Sequence, residues 1–257
     1  MFLTGVLLVV LSGSVAQAAN PLYTQQSVVN GANFAPGPVA PNSIVTIFGT
    51  DLAWWDEGLT RENTNGGWLP TSLADVRVYV ANYVSPLIYV CPTQINFLIP
   101  GNLKPGLVTV RVARQGVTGP EVTVTLVDAV PQLFQSADGY VVAQHADYSL
   151  VTPDHPAQGG EIIVVYATGL GRTLPNPAPG EIPAYPGLMA RLSELRVSIA
   201  GSVLPSDQIF YAGVTPGWAG LYQINLKLPL TLGRDPELRA AVGDQAGPAG
   251  LKLATGR

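Results

Sequence analysis

The side chains that most readily do chemistry are few in this sequence: one cysteine, Cys91, and two histidines, His145 and His155. A nucleophilic thiol needs a base beside it to raise its thiolate fraction. Both histidines fall in the other half of the chain, and Cys91 ends an apolar, strand-like run that begins at Leu87. The expectation is a small, buried, unreactive core residue. His145, Asp147, Asp154 and His155 lie within eleven residues, yet their spacing matches neither a zinc site nor an EF-hand loop. A solvated loop is expected there. No Gly-x-Ser-x-Gly elbow occurs, and Gly169-Leu170-Gly171 is too short for a dinucleotide loop. No catalytic residue, metal or cofactor is therefore expected, and a hydrolase stays a distant alternative.

Binding chemistry is better represented. Trp54, Trp55 and Trp68, three of the four tryptophans, fall between Ala53 and Pro70, interleaved with Asp56, Glu57, Arg61, Glu62 and Asn65. Indole faces stack on sugar rings or anchor a protein partner, and the polar residues between them offer hydrogen bonds. The alternative is that these rings close an end of the fold or pack between domains. Two amide pairs also recur, Gln94 with Asn96 and Gln223 with Asn225. Residues two apart on a strand share a face, so Ile95 and Phe97, or Ile224 and Leu226, point to the core and the amides point away. Recurrence in both halves favours a structural role for the amides.

The elements that must position these residues are strands. Gly (28) and Pro (23) are abundant among Val, Ile, Leu and Thr, a composition of short strands and many turns. Ile44, Thr46 and Phe48 alternate with Val45 and Ile47, while Val76, Val78 and Val80 alternate with Arg77 and Tyr79. Gln115-Gly116 separates Val108–Val112 from Val122–Leu126 as a hairpin-like turn.

The strands come in two similar sets. Asn42–Ala53 aligns with Gly160–Gly171, offset by 118 residues (Ile44 against Ile162). Leu73–Ala81 aligns with Leu192–Ala200 at 119 (Leu73 against Leu192). Gln94-Ile95-Asn96 recurs as Gln223-Ile224-Asn225 at 129 (Ile95 against Ile224). The second set therefore holds about ten more residues, mostly around Thr215–Leu221. Three blocks in one order predict two tandem immunoglobulin-like β-sandwiches related by internal duplication, residues 19–128 and 129–257, joined near Asp128–Pro131.

Phe2–Leu11 is apolar, Ser12-Gly13-Ser14 breaks the run, and Ala16-Gln17-Ala18 forms a small-x-small cleavage site. Residues 1–18 thus read as a signal peptide with the mature chain starting near Ala19, although the leader has no Lys or Arg. An extracellular, cell-surface or periplasmic setting follows, with no transmembrane segment in the mature chain. Charge is sparse, 12% of residues, with a net −4 and no basic cluster. Nucleic acid is excluded as a partner.

Several phrases resemble a Solibacter-type uncharacterised C-terminal domain family, frequent in secreted proteins of acidobacteria. They are Val29-Asn30-Gly31-Ala32-Asn33-Phe34, Gly37–Pro41, Ile47-Phe48-Gly49-Thr50, Tyr166–Gly171, Tyr211-Ala212-Gly213 and Gly220–Asn225. Cys91 stands where that family suggests a serine. Gly169-Leu170-Gly171 and the first-half phrases also look like IPT/TIG-type immunoglobulin-like domains. The resemblance implies a sandwich fold and an exported setting, and it brings no catalytic residues. Two functions are expected to compete: a non-enzymatic module binding a polysaccharide or another exported protein, and an envelope spacer with no ligand of its own.

Overall fold

The computed structural model describes residues 19–64 and 66–256. The leader read over residues 1–18, and Asn65 of the tryptophan loop, lie outside the described residues. The fold is all-β. The first half contributes β1 (Val28–Asn30), β2 (Ile44–Phe48), β3 (Glu57–Gly58), β4 (Val76–Val80) and β5 (Tyr83–Ser85). It continues with β6 (Leu87–Cys91), β7 (Gln94–Leu98), β8 (Gly106–Arg114), β9 (Val117–Thr118) and β10 (Val122–Leu126). One sheet runs β1-β2-β7-β6-β3, and the other runs β10-β8-β4-β5 with β9 beside β8.

The second half opens with β11 (Gln132–Leu133), β12 (Ala143–Gln144), β13 (Ile162–Thr168), β14 (Thr173–Leu174) and β15 (Gly187–Met189). Next come β16 (Leu195–Ile199), β17 (Ser202–Val203), β18 (Ile209–Val214), β19 (Tyr222–Lys227), β20 (Leu238–Val242) and β21 (Gln245–Ala246). Its sheets are β11-β13-β19-β18-β15-β14, with β12 on β13, and β17-β16-β20-β21.

Alternation builds both cores. Val45, Ile47, Ile95 and Phe97 of one sheet meet Val76, Val78, Val80, Val110 and Val112 of the other, all fully buried. Arg77, between two of those valines, is exposed. In the second half Ile163, Val165, Ile224 and Leu226 meet Val197, Ile199, Leu238 and Val242. Each such side chain contributes about 1.5–3 kcal/mol on burial. One core spans Tyr23 to Leu126 and the other Ala129 to Ala254.

Register repeats along with strand order. β2 faces β7 with Ile44 opposite Leu98 and Thr46 opposite Asn96; β13 faces β19 with Ile162 opposite Lys227 and Val164 opposite Asn225. A bulge interrupts β6 between Leu87 and Tyr89, and another interrupts β18 between Ile209 and Tyr211. Gln115 and Gly116, both with positive φ, close the turn that pairs Arg114 with Val117, the left-handed geometry that two-residue hairpins use.

The bulge in β6 corrects the reading of Cys91. Ile88 is the extra residue, so the inward phase passes from Leu87 to Val90. Tyr89 and Cys91 turn outward, and Cys91 is half-buried rather than a core residue.

The halves meet along a built joint. The Thr168 hydroxyl accepts from the Ile44 amide (2.9 Å) and donates to the Gly220 carbonyl (2.9 Å). Arg172 reaches across with Nε on the Gly101 carbonyl (3.0 Å), Nη2 on the Leu103 carbonyl, and Nη1 3.5 Å from Asp128. Gly169-Leu170-Gly171 has a structural reason. Both glycines have positive φ, and a Cβ on either would fall 2.3–2.4 Å from the carbonyls of Val130 and Asp128. Only glycine lets the connecting segment run that close.

We propose that the chain divides into domains 19–128 and 129–257. Expressed apart, residues 20–128 and 130–257 should each give a β-type circular dichroism spectrum and a cooperative melt. Two unfolded fragments would replace the division by one continuous sheet system.

Candidate functional site

The three loop tryptophans are held in different ways. Trp54 donates its indole N–H to Gln115 Oε1 (2.9 Å), and the Arg114 guanidinium lies 3.7 Å from its ring centroid. Arg114 is fully buried, with Nη1 on the Asp51 carbonyl and Nη2 on the Ala19 carbonyl. Among the described residues its Nε has no partner and it forms no ion pair. A buried cation without a carboxylate is costly, and the face of Trp54 stabilises it. Trp54, 42% exposed, thus caps the edge of the first sandwich.

Trp55 and Trp68 leave more of their rings to solvent, 50% and 48%. Trp68 lies opposite Glu181 in an antiparallel bridge, which Leu69 N–H to Gly180 O (2.7 Å) and Ile182 N–H to Gly67 O (2.7 Å) hold in place. The loop of the first half is therefore stitched to the second half at Trp68. Its neighbour Leu69, not Trp68 itself, lines a groove of about 560 Å³ at the joint, with Ile44, Leu59, Ile88, Ile182 and Trp218.

Trp218 is the residue that the sequence reading missed. It is 64% exposed and sits in the connection between β18 and β19, within the stretch by which the second half exceeds the first. It separates the groove just described from another of about 510 Å³, which Phe134, Gln144, Tyr166 and Thr215 also line. The length difference was the available signal; a lone Trp between Pro-Gly and Ala-Gly carries no periodicity.

The amide pairs bond within themselves. Gln94 donates to Asn96 Oδ1 (2.9 Å), which also accepts from the Thr46 hydroxyl (2.9 Å). Gln223 donates to Asn225 Oδ1 (3.0 Å) in the second half. Each pair shares a strand face, and in the first half the Thr46 bond ties it to the neighbouring strand.

The histidine segment is not a solvated loop throughout. His145 is buried, with Nδ1 2.5 Å from Glu161 Oε1, Nε2 3.2 Å from the His155 carbonyl, and its ring 4.3 Å from that of His155. Ser149 donates to Asp147 (2.6 Å). Among the described residues no group of three or more acids, histidines or cysteines is arranged to hold a metal.

The IPT/TIG family matches residues 28–127. An IPT/TIG immunoglobulin-like domain is present. It spans all ten strands of the first half, and both the tryptophan loop and the joint residue Ile44 belong to this IPT/TIG domain. No curated protein matches the chain. Among solved structures, the chain is similar to a Bacteroides ovatus SGBP-B from a mixed-linkage glucan utilization locus, in complex with a mixed-linkage heptasaccharide. The identity is 10%, the TM-score 0.33, and coverage is 84% of this chain and 41% of that one. A surface glycan-binding protein of Prevotella bryantii gives 9%, 0.28, 91% and 42%. Domains 5–6 of the S-layer protein SbsC give 11%, 0.28, 93% and 100%. The chain spans about two fifths of the length of the two glycan-binding proteins.

Two measurements follow. Burial alone would lower the pKa of His145, but the Glu161 carboxylate and the His155 carbonyl hold it above the ordinary 6.5. A raised folded pKa gives stability that is complete below the unfolded value and lost as pH rises through the folded one. Stability from chemical denaturation should therefore fall above about pH 6.5, and His145→Gln should flatten that part of the profile. Burial likewise raises the Cys91 thiol pKa, yet hydrogen bonds from Thr93, Tyr89 and the Gln94 amide bring it below 9.0. A thiol reagent should label Cys91 in the folded protein without denaturant.

Proposed function

We propose that this chain is an exported, non-enzymatic module that binds a polysaccharide outside the cell or at its surface, with Trp55 and Trp68 as contact residues and Trp54 as their support. The observation that carries the reading is the pair of half-exposed indoles on a loop tied down at both ends. One end is fixed where Trp54 meets Gln115 and Arg114, the other where the Trp68 segment pairs with residues 180–182. A loop fixed before binding loses little entropy when a ligand stacks on it. Export rests on the apolar run Phe2–Leu11 and the Ala16-Gln17-Ala18 site; among the described residues no helix is long and apolar enough to cross a membrane. A protein partner at the same rings is the other occupant that this surface fits.

An envelope spacer is the second reading, favoured by the joint, where Thr168 and Arg172 fix one half against the other. Retention of the protein on insoluble polysaccharides separates the two. Binding to at least one of them, lost in the Trp55→Ala/Trp68→Ala double variant with an unchanged circular dichroism spectrum, is the expected result. Trp54→Ala should instead lower stability by about 2 kcal/mol, since the buried guanidinium of Arg114 loses its cover. No retention of the wild type by any polysaccharide would leave the spacer reading.

A further inference from the structure

The groove beyond Trp218 differs in chemistry from its neighbour. The neighbouring groove is aliphatic, with Ile44, Leu59, Leu69, Ile88 and Ile182 in its wall and Arg61 as its one charge. The 510 Å³ groove has three aromatic rings, Phe134, Tyr166 and Trp218, one amide, Gln144, two hydroxyls, those of Tyr166 and Thr215, and no charged side chain in its lining. Its volume lies within the roughly 300–1,000 Å³ of small-ligand sites.

Thr215 is 8% exposed, and its Oγ1 is buried with no hydrogen-bond partner, so it stands in the wall and offers no bond to a ligand. The other polar groups of the lining have free valences. The Tyr166 hydroxyl donates to Gln144 Oε1 (2.5 Å). Gln144 thereby keeps its Nε2 hydrogens as donors, and the Tyr166 oxygen keeps acceptor capacity. Burial raises the pKa of that phenol, so it remains a neutral donor.

Flat apolar faces beside uncharged donors and acceptors match one class of ligand. A pyranose ring presents an apolar C–H face for stacking and a rim of hydroxyls that both donate and accept. We propose that this groove is a subsite for one neutral sugar ring, stacked on Trp218, with Gln144 Nε2 and the Tyr166 hydroxyl bonding its hydroxyls. The site sits on the second half, its lining includes no residue of the Trp54–Trp68 loop, and its assignment rests on the polysaccharide reading above. The Gly220 carbonyl, bonded to Thr168, fixes the loop that carries Trp218.

The test is calorimetric titration of the full chain with two neutral polymers, hydroxyethylcellulose and galactomannan, and one polyanion, polygalacturonate. Binding of a neutral polymer should fall at least about tenfold in Trp218→Ala and about three- to tenfold in the near-isosteric Tyr166→Phe. Polygalacturonate should bind more weakly than the best neutral polymer. If Trp218→Ala fails to fold, Tyr166→Phe alone decides, since it removes only the hydroxyl. Wild-type affinity in Tyr166→Phe, or equal binding of the polyanion, overturns the subsite. Binding lost in Trp55→Ala/Trp68→Ala but intact in both groove variants overturns it too, while leaving the polysaccharide reading in place. No binding of any polymer to the wild type overturns both.

Discussion

One hydroxyl holds the joint together. Thr168 Oγ1 takes the amide hydrogen at the start of β2 and gives its own to the carbonyl of Gly220. Thr168 is fully buried, and each bond is worth about 1 kcal/mol, with a larger cost when a buried group is left unpaired. Three segments meet at that oxygen: the first sheet, the second sheet and the loop of Trp218. Both grooves have walls in those segments, so their shape depends on this bond as much as on their own side chains.

Much of the fold was legible because period-two alternation survives in the core strands. Val76, Val78 and Val80 announce their inward face, and Ile95 with Phe97 does the same through the amide pair around it. Cys91 shows where that logic fails. Counting by twos from Leu87 puts Tyr89 and Cys91 inside, but the extra residue at Ile88 reverses the phase, and nothing in Leu-Ile-Tyr-Val-Cys marks a bulge. Backbone register is set by pairing across the sheet, which a single strand's residues do not record.

The binding surface was legible only in part. Trp55 and Trp68 stand out by type and setting, and both are half-exposed. Trp54 belongs with them in sequence but not in environment, because Arg114, some sixty positions later, lies against its ring. Arg114 itself reads as an ordinary charged strand end; its burial arises where Asp51, Ala19 and the indole converge from distant parts of the chain. Thr215 is invisible for the same reason: an unpaired hydroxyl is a property of its surroundings, not of its residue type. His145 reads as solvated until Glu161 folds back on it.

The joint also rests on side chains that are absent. A Cβ at Gly220 would lie 2.4 Å from Leu98 Cδ2 and 2.8 Å from Ile44 Cγ1, and one at Gly101 would lie 3.2 Å from Asn176 Nδ2. Here the backbone of one half sits directly against side chains of the other. Bare backbone sets how closely the halves approach, and the Thr168 and Arg172 side chains hold them there. A larger residue at either glycine would wedge the halves apart and spread both grooves together, so the chain works as a bracket whose angle is set by what two positions leave out.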